Sequence, residues 1–360
     1  MPLKELSQKI TAVYNENEYP TLSYQCKKWE TSRPLKGLTV LDATPVYRNT
    51  LTKYIPLIMA GAELSVGISD MMPHDPQITE FLRSIGIPVI HAKEARELIF
   101  DLILDSAGAF AETQTKIGYV ELTRSGVEKY EHSGKPVFVA DNGKIKQIET
   151  CLGTGESYFR AMKSLGYDDW NGKTLAVFGS GKVGTGIITY ASKLNARTIV
   201  ITDPTTLNGL ARKNAGTIID FRDTTAIGEA VRQAYAVVTA TGIRHALEQN
   251  CSAETFMGTS ALLANMGVED EYGNTVPDEK VLCHKSTLNF ILEEPTHLKY
   301  IETTMSLHNE GAVYLAAQKE SSLKNGLLVP PPETEEELLN IVRKNGVIRN
   351  ELNWIFDELS

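Results

Sequence analysis

The sequence predicts an α/β protein of two domains, each a mainly parallel sheet flanked by helices. Three observations lead there. The chain has 360 residues, more than the ~100–200 that one hydrophobic core usually serves. Short continuous runs rich in Val and Ile recur between helix-length segments, as strands buried on both faces do. A second and tidier series of such runs begins after a helix that ends near Gly166.

In chain order, residues 37–41, 63–68, 87–91, 100–104 and 136–140 read as strands of the first sheet, with helices over 48–60 and 77–84. From about Cys151 a helix runs through Glu156, Ser157, Tyr158, Phe159 and Met162 to Leu165. The second series places strands at 173–178, 198–202, 216–219, 236–240 and 261–264, with helices between most of them. A long helix is expected from about Thr304 to Lys319, then a turn at Pro330, Pro331 and Pro332 and two further helices. The acidic run from Glu333 to Glu337 suits a helix's first turn. The expected domains are 1–165, 166–303 and a segment 304–360 that returns to the first, with a cleft between the two domains.

Composition narrows the function. Apolar residues make up 42% and charged residues 22%, as in a soluble globular protein. Lysine and arginine number 36 against 45 acidic residues, a net charge of −9 that offers no footprint for nucleic-acid phosphates. No signal-peptide pattern opens the chain and no apolar run reaches the ~18–20 residues that span a bilayer, so no membrane partner and a cytoplasmic location are expected. The four cysteines lie far apart without a CxxC and read as reduced thiols. No metal-ligand spacing such as HExxH occurs, and no metal is expected.

The motif that carries a cofactor site is Gly179-Ser180-Gly181-Lys182-Val183-Gly184, which directly follows a buried strand and opens a helix. There the first glycine permits a tight turn, the second lets the backbone approach a pyrophosphate, and the third lets helix and strand pack. This is the dinucleotide fingerprint of a Rossmann domain. Asp203 ends the next strand, where a carboxylate accepts hydrogen bonds from a ribose diol; that favours NAD. A 2′-phosphate would meet Asp203, and Pro204, Thr205 and Thr206 supply no arginine to offset it. Thr239-Ala240-Thr241-Gly242 and Asn265-Met266-Gly267 end two later strands, at the sheet edge where such folds bind ligands.

These motifs, with Gly153-Thr154-Gly155-Glu156-Ser157 ahead of them and Asp270 after them, stand in an order that resembles the S-adenosylhomocysteine hydrolases, whose stretches read like GCRES, GYGDVG, TTTG and NIGHFD. The likeness extends over most of the chain, from Ala60-Gly61-Ala62-Glu63 and Gly86-Ile87-Pro88-Val89 to residues 326–333. It implies a tightly held NAD that oxidises a nucleoside 3′-hydroxyl, acidifies C4′, permits elimination at C5′ and is regenerated. It also implies a homo-oligomer, a dimer or tetramer, and carries Thr123, Ser125, Thr150 and Asn289 over as cofactor contacts, Asn289 at the nicotinamide.

The substrate side departs from the family. Its DDGGD stretch appears as Asp105-Ser106-Ala107-Gly108-Ala109, keeping the first acid. Its glutamate before a threonine run meets Leu122, beside Glu121. Its lysine and aspartate ahead of GCRES fall at Ile145 and Glu149, with Lys144 and Lys146 flanking the first. Two of its histidines fall at Val268 and Pro45, a third survives as His297, and its C-terminal Lys and Tyr are absent. The candidate acid–base set is therefore Lys146, Lys144, Glu149, Glu121, His297 and Asp105, although a solvated helix face also accounts for Lys144, Lys146 and Glu149. The resemblance implies a small nucleoside or nucleoside thioether as substrate, with hydrolysis or a lyase outcome. A net NAD-dependent oxidoreductase of a small hydroxy substrate and a non-catalytic NAD- or nucleoside-binding regulator are the alternatives.

Overall fold

The computed structural model describes residues 2–141, 143–318 and 325–356. They divide into two units, Met1–Lys146 with Leu298–Asn350, and Gln147–His297 with Glu351–Ser360. Each unit is an α/β layer built on a wholly parallel sheet.

The first unit's seven-stranded sheet takes β1 (Thr39–Asp42), β2 (Glu63–Ile68), β3 (Val89–His91), β4 (Ile99–Asp105), β5 (Gln114–Glu121) and β6 (Pro136–Val139), joined late in the chain by β12 (Gly326–Leu328). Their order is β12-β6-β5-β4-β1-β2-β3, so the winding direction reverses between β1 and β4. Residues Leu41, Phe100, Ile103, Phe110, Tyr119 and Val137 pack one core of the unit. Strands β5 and β12 were not expected. Polar Gln114, Thr115 and Lys116 open β5, and Gly118 interrupts its apolar pattern. That glycine is required, because a Cβ there would lie 2.6 Å from the Pro136 carbonyl oxygen. Strand β12 is three residues long and leads with Gly326.

The long helix begins at Leu298, before the expected Thr304, and runs to Ala317; the expected end at Lys319 lies outside the described residues. Its buried face is unusually polar, carrying Glu302, Thr303, Thr304, Ser306, His308 and Asn309. Such a helix lacks the clean apolar stripe that marks a boundary in sequence. Two of its contacts reach neighbouring helices. Glu302 Oε2 accepts from Thr21 N at 3.1 Å and Leu22 N at 3.3 Å, satisfying donors at the start of the helix Pro20–Ser32. Asn309 Nδ2 donates to the Lys53 carbonyl at 3.2 Å. Lys53, on the helix Leu51–Met59, pairs its ammonium with Asp42 at the end of β1, both side chains fully buried.

Burial pushes the Glu302 carboxyl from 4.5 up to about 7, against the hydrogen bonds that favour its anion. The folded protein therefore holds a proton that the unfolded chain has released. Glu302 contributes its full stability below pH ~4.5 and loses it as the pH rises toward 7. Glu302→Gln, which mimics the protonated acid, is expected to gain stability relative to wild type from pH 5 to 7.5, by at most about 1.4 kcal/mol per unit. Denaturant melts of both proteins across that range check this; a constant difference rejects it.

The second unit's five-stranded sheet comprises β7 (Thr174–Phe178), β8 (Arg197–Thr202), β9 (Thr217–Asp220), β10 (Ala236–Thr239) and β11 (Leu262–Asn265), in the order β11-β10-β7-β8-β9. Leu175 and Val177 face one core with Ile187 and Trp170. Ala176 and Phe178 face the other with Phe256 and Tyr272. Burial on both faces is why the inner strands β7, β8 and β10 read as unbroken apolar runs, whereas the edge strand β9 is only half-buried.

Residues 147–165, expected in the first domain, belong to this unit. The π-helical stretch Ile148–Thr154 and the helix Gly155–Ser164 lie backbone to backbone against the helix Lys182–Lys193. A Cβ on Gly155 would sit 2.6 Å from the Gly186 Cα, and one on Gly186 would sit 2.1 Å from the Cys151 carbonyl oxygen. Residues 298–303 likewise move to the first unit, as the opening of one continuous helix. The expected return of the C-terminus is also partly corrected. Trp354 of the helix Arg349–Phe356 stacks its ring edge-on to Tyr190 at 6.0 Å, and Lys193 Nζ lies 3.5 Å from its ring centroid, all within the second unit. Among the described residues no helix is long and apolar enough to cross a membrane.

Candidate functional site

In the second unit the winding direction reverses between β7 and β10, the point where open α/β sheets receive ligands at their carboxyl edge. The turn Gly179–Gly184 stands there. Gly179 has φ +95°, and a Cβ on it would fall 2.5 Å from the Ala240 carbonyl oxygen. A Cβ on Gly184 would fall 2.1 Å from the Gly179 carbonyl oxygen, so this glycine sets how closely helix and strand pack. Gly181 has open space where its side chain would be, which leaves the backbone approachable. Lys182 is exposed and Val183 half-buried in the first turn of the helix. Ser180 ties the turn to the next strand, its Oγ lying 2.8 Å from Thr202 Oγ1.

A cavity of about 400 Å³ opens on this turn, walled by Phe178, Ile201, Phe221, Ile227 and Leu247, with Asp203 at its polar end. Its size and apolar walls suit a purine nucleoside moiety. Asp203 Oδ1 accepts from Thr205 N at 2.9 Å and Thr205 Oγ1 at 2.7 Å, while Oδ2 lies 2.6 Å from Arg222 Nη2. These partners, the Thr205 hydrogen bonds foremost, hold its carboxyl below the ordinary 3.8. The arginine was not foreseen, since Arg222 follows β9 and is remote from Asp203 in sequence.

The strand ends after β10 and β11 are each held by a side chain, Glu271 and Asn265 respectively. Asn265 is fully buried. Its Oδ1 accepts from Thr239 Oγ1 and Gly267 N, both at 3.0 Å, and its Nδ2 donates to three carbonyls, of Gly267, Glu269 and Lys285. It braces the loop, in which Met266 is buried and the Gly267 carbonyl also accepts from Thr287 Oγ1 at 2.7 Å. Glu271, which the sequence did not single out, holds the other loop: its carboxylate accepts from Thr241 N at 2.9 Å and Gly242 N at 2.7 Å. A Cβ on Gly267 would lie 2.3 Å from Glu271 Oε1, which explains the glycine. Asn289 is buried, donates from Nδ2 to the Pro295 carbonyl at 3.2 Å, and its Oδ1 has no hydrogen-bond partner. A buried, unused acceptor fits an amide donor such as a nicotinamide carboxamide. The open Gly181 backbone and the cavity beside it fit a dinucleotide.

The candidate acid–base residues divide between the units. Glu149 and Thr150 are half-buried on the π-helical stretch of the second, a helix form frequent at functional sites. His297, also there, is partly exposed with Nδ1 3.6 Å from Glu294 Oε2. In the first unit, Asp105 and Glu121 end neighbouring strands in register. Both are fully buried and committed to loop backbone. Asp105 accepts from Ser106 N at 2.7 Å, Phe110 N at 2.8 Å and the Tyr130 hydroxyl. Glu121 accepts from Ala107 N, Gly108 N, Thr123 N and Thr123 Oγ1. Burial and the neighbouring Glu121 charge push Asp105 up to about 7, and burial raises Glu121 as well. Their structural duty is to shape the turn at Ala107 and Gly108, with Thr123 half-buried and Ser125 exposed beside it.

Lys146 is buried and donates from Nζ to the Leu122 carbonyl at 3.0 Å, with Asp141 Oδ1 at 3.9 Å. Lys144, two residues earlier on the helix Gly143–Gln147, is exposed. His308, without a motif in the sequence, lies behind this edge with Nε2 2.9 Å from the Val120 carbonyl oxygen. Burial first, then the nearby Lys53 and Lys146 charges, drives its pKa well below 6.5, so the imidazole is neutral.

Comparison with known proteins places this arrangement. No family profile matches the chain. Over 277 residues it is 28% identical to the adenosylhomocysteinase of Thermotoga maritima, a match covering 69% of this chain and 66% of that protein. Over 304 residues it is 25% identical to the S-inosyl-L-homocysteine hydrolase of Methanosarcina mazei, covering 74% of this chain and 71% of the relative. The chain is thus similar to adenosylhomocysteinases and S-inosyl-L-homocysteine hydrolases at 24–28% identity. The match thus spans slightly less than two-thirds of the Thermotoga adenosylhomocysteinase, and 64% of the one from Thermococcus kodakarensis. Among solved structures, a dipicolinate synthase subunit from Bacillus halodurans superposes with a TM-score of 0.52 at 14% identity, over 79% of this chain and all of that one, a likeness of fold.

Proposed function

We propose that the chain is an NAD-dependent enzyme of the adenosylhomocysteinase type, acting on a nucleoside or nucleoside thioether with a hydrolase or lyase outcome. The observation that carries this reading is the cavity of about 400 Å³ running from the glycine turn to Asp203, in a chain whose relatives are named as homocysteine-nucleoside hydrolases. The pyrophosphate would rest on the backbone of Gly179 to Gly184, the adenosine ribose on Asp203, and the nicotinamide carboxamide on Asn289 Oδ1. When bound, NAD supplies reversible hydride acceptance from a substrate hydroxyl. The first unit would bind the substrate, with Lys146 holding a proton at Nζ in a dry setting. Glu271 and Asn265 keep the two cofactor loops rigid, which preserves reach at the level that proton and hydride transfer demand.

Dinucleotide recovered from the denatured purified protein, together with a reduced-nicotinamide absorbance signal when adenosine or inosine derivatives are mixed in, supports the proposal. Stoichiometric consumption of added NAD overturns it in favour of a net oxidoreductase. Asp203→Ala is expected to weaken NAD by ~1.5–3 kcal/mol and to shift preference toward NADP, because charge-assisted hydrogen bonds to the ribose are lost. Titration calorimetry measures this, and an unchanged NAD affinity rejects the assignment of Asp203.

A further inference from the structure

At the ribose end of the cavity the charges differ from those of a lone acidic residue. Strands β8 and β9 pair in parallel with Thr202 opposite Asp220, so the residues after each, Asp203 on one side and Phe221 and Arg222 on the other, emerge side by side. The Arg222 guanidinium bridges two carboxylates, Nη2 to Asp203 Oδ2 at 2.6 Å and Nη1 to Asp220 Oδ2 at 2.9 Å. It also lies 4.6 Å from the ring centroid of Phe221, which walls the cavity. A second guanidinium, of Arg212, donates to the Pro204 carbonyl at 3.2 Å. Two cations therefore stand around the Asp203 loop, matching the charges of Asp203 and Asp220.

This changes what the edge selects. A bare 2′-hydroxyl must compete with Arg222 for Asp203 Oδ2, whereas a 2′-phosphate provides a dianion that the exposed guanidinium can turn to meet with two parallel hydrogen bonds. Resting on the dinucleotide reading above, we infer that Arg222 is the specificity-determining residue of this pocket and that it lets the pocket take the 2′-phosphorylated dinucleotide, NADP, as well as NAD. Asp203 favours the hydroxyl, Arg222 favours the phosphate, and the ion pair between them sets the balance.

Equilibrium binding of NAD and NADP to the purified full chain, by calorimetry and without any substrate, tests this. Arg222→Ala is expected to weaken NADP at least tenfold relative to NAD, with NAD itself changed less than threefold. Arg222→Lys keeps a cation and is expected to retain most of the NADP affinity. An Arg222→Ala protein whose NADP-to-NAD ratio equals that of wild type overturns the inference, as does an equal loss for both dinucleotides, which would make Arg222 a brace for the loop. Wild-type protein that binds neither dinucleotide removes the cofactor reading itself, and this inference with it; binding of NAD with an Arg222-independent ratio removes this inference alone.

Discussion

Lys53→Met is expected to destabilise the first unit by about 3–5 kcal/mol, the usual cost of removing one partner of a buried ion pair. The Lys53 ammonium and the Asp42 carboxylate are both wholly out of water and paired to each other. With the ammonium gone, Asp42 keeps the Thr44 amide at 3.0 Å but has no counter-charge. At ~2–4 °C per kcal/mol, its thermal transition should fall by roughly 6–20 °C. The double variant Asp42→Leu with Lys53→Met should recover much of that loss, because the desolvation cost of both charges disappears together. Calorimetric scans of the three proteins give the answer. A single variant melting within a degree of wild type shows that the pair carries no such penalty.

That ion pair also shows where reading the sequence stops. Strands β7, β8 and β10 were legible because they are buried on both faces, as in β7 with Leu175 and Val177 toward one core and Ala176 and Phe178 toward the other. The glycine turn was legible because its requirements are local, Gly184 answering the Gly179 carbonyl within the turn and Gly179 the Ala240 carbonyl across one strand pair. Lys53 looks like an exposed helix residue in sequence, and nothing local says that Asp42 lies against it. Glu271 and Arg222 are ordinary surface charges until the fold brings Gly242 to one and Asp203 to the other. Glu121 was singled out by its place beside a family motif, and only the fold shows that it accepts four hydrogen bonds, from one turn and from Thr123. Charged residues take their meaning from partners that sequence distance hides.

Lys146 is the group where that hidden context bears most directly on chemistry. Lys144 and Lys146 were equivalent in sequence, but successive helix residues turn by ~100°, so two positions apart they face different directions. Lys146 is the buried one, with Nζ on the Leu122 carbonyl, and Lys144 is exposed. Lys146→Met keeps the length of the side chain and removes its proton. If Lys146 acts as a general acid or base, the variant should slow the oxidation of a nucleoside hydroxyl by ~10²–10⁴-fold, with dinucleotide binding unchanged. Glu149→Gln should do the same if its carboxylate shares that duty, whereas Lys144→Met should leave the rate as it was. Single-turnover absorbance of reduced nicotinamide reports the rate, and a melting curve separates chemistry from support. A Lys146 that only braces the Leu122 carbonyl would lower the melting temperature and leave the rate intact. Wild-type rates in both Lys146→Met and Glu149→Gln would assign the proton transfers to other residues.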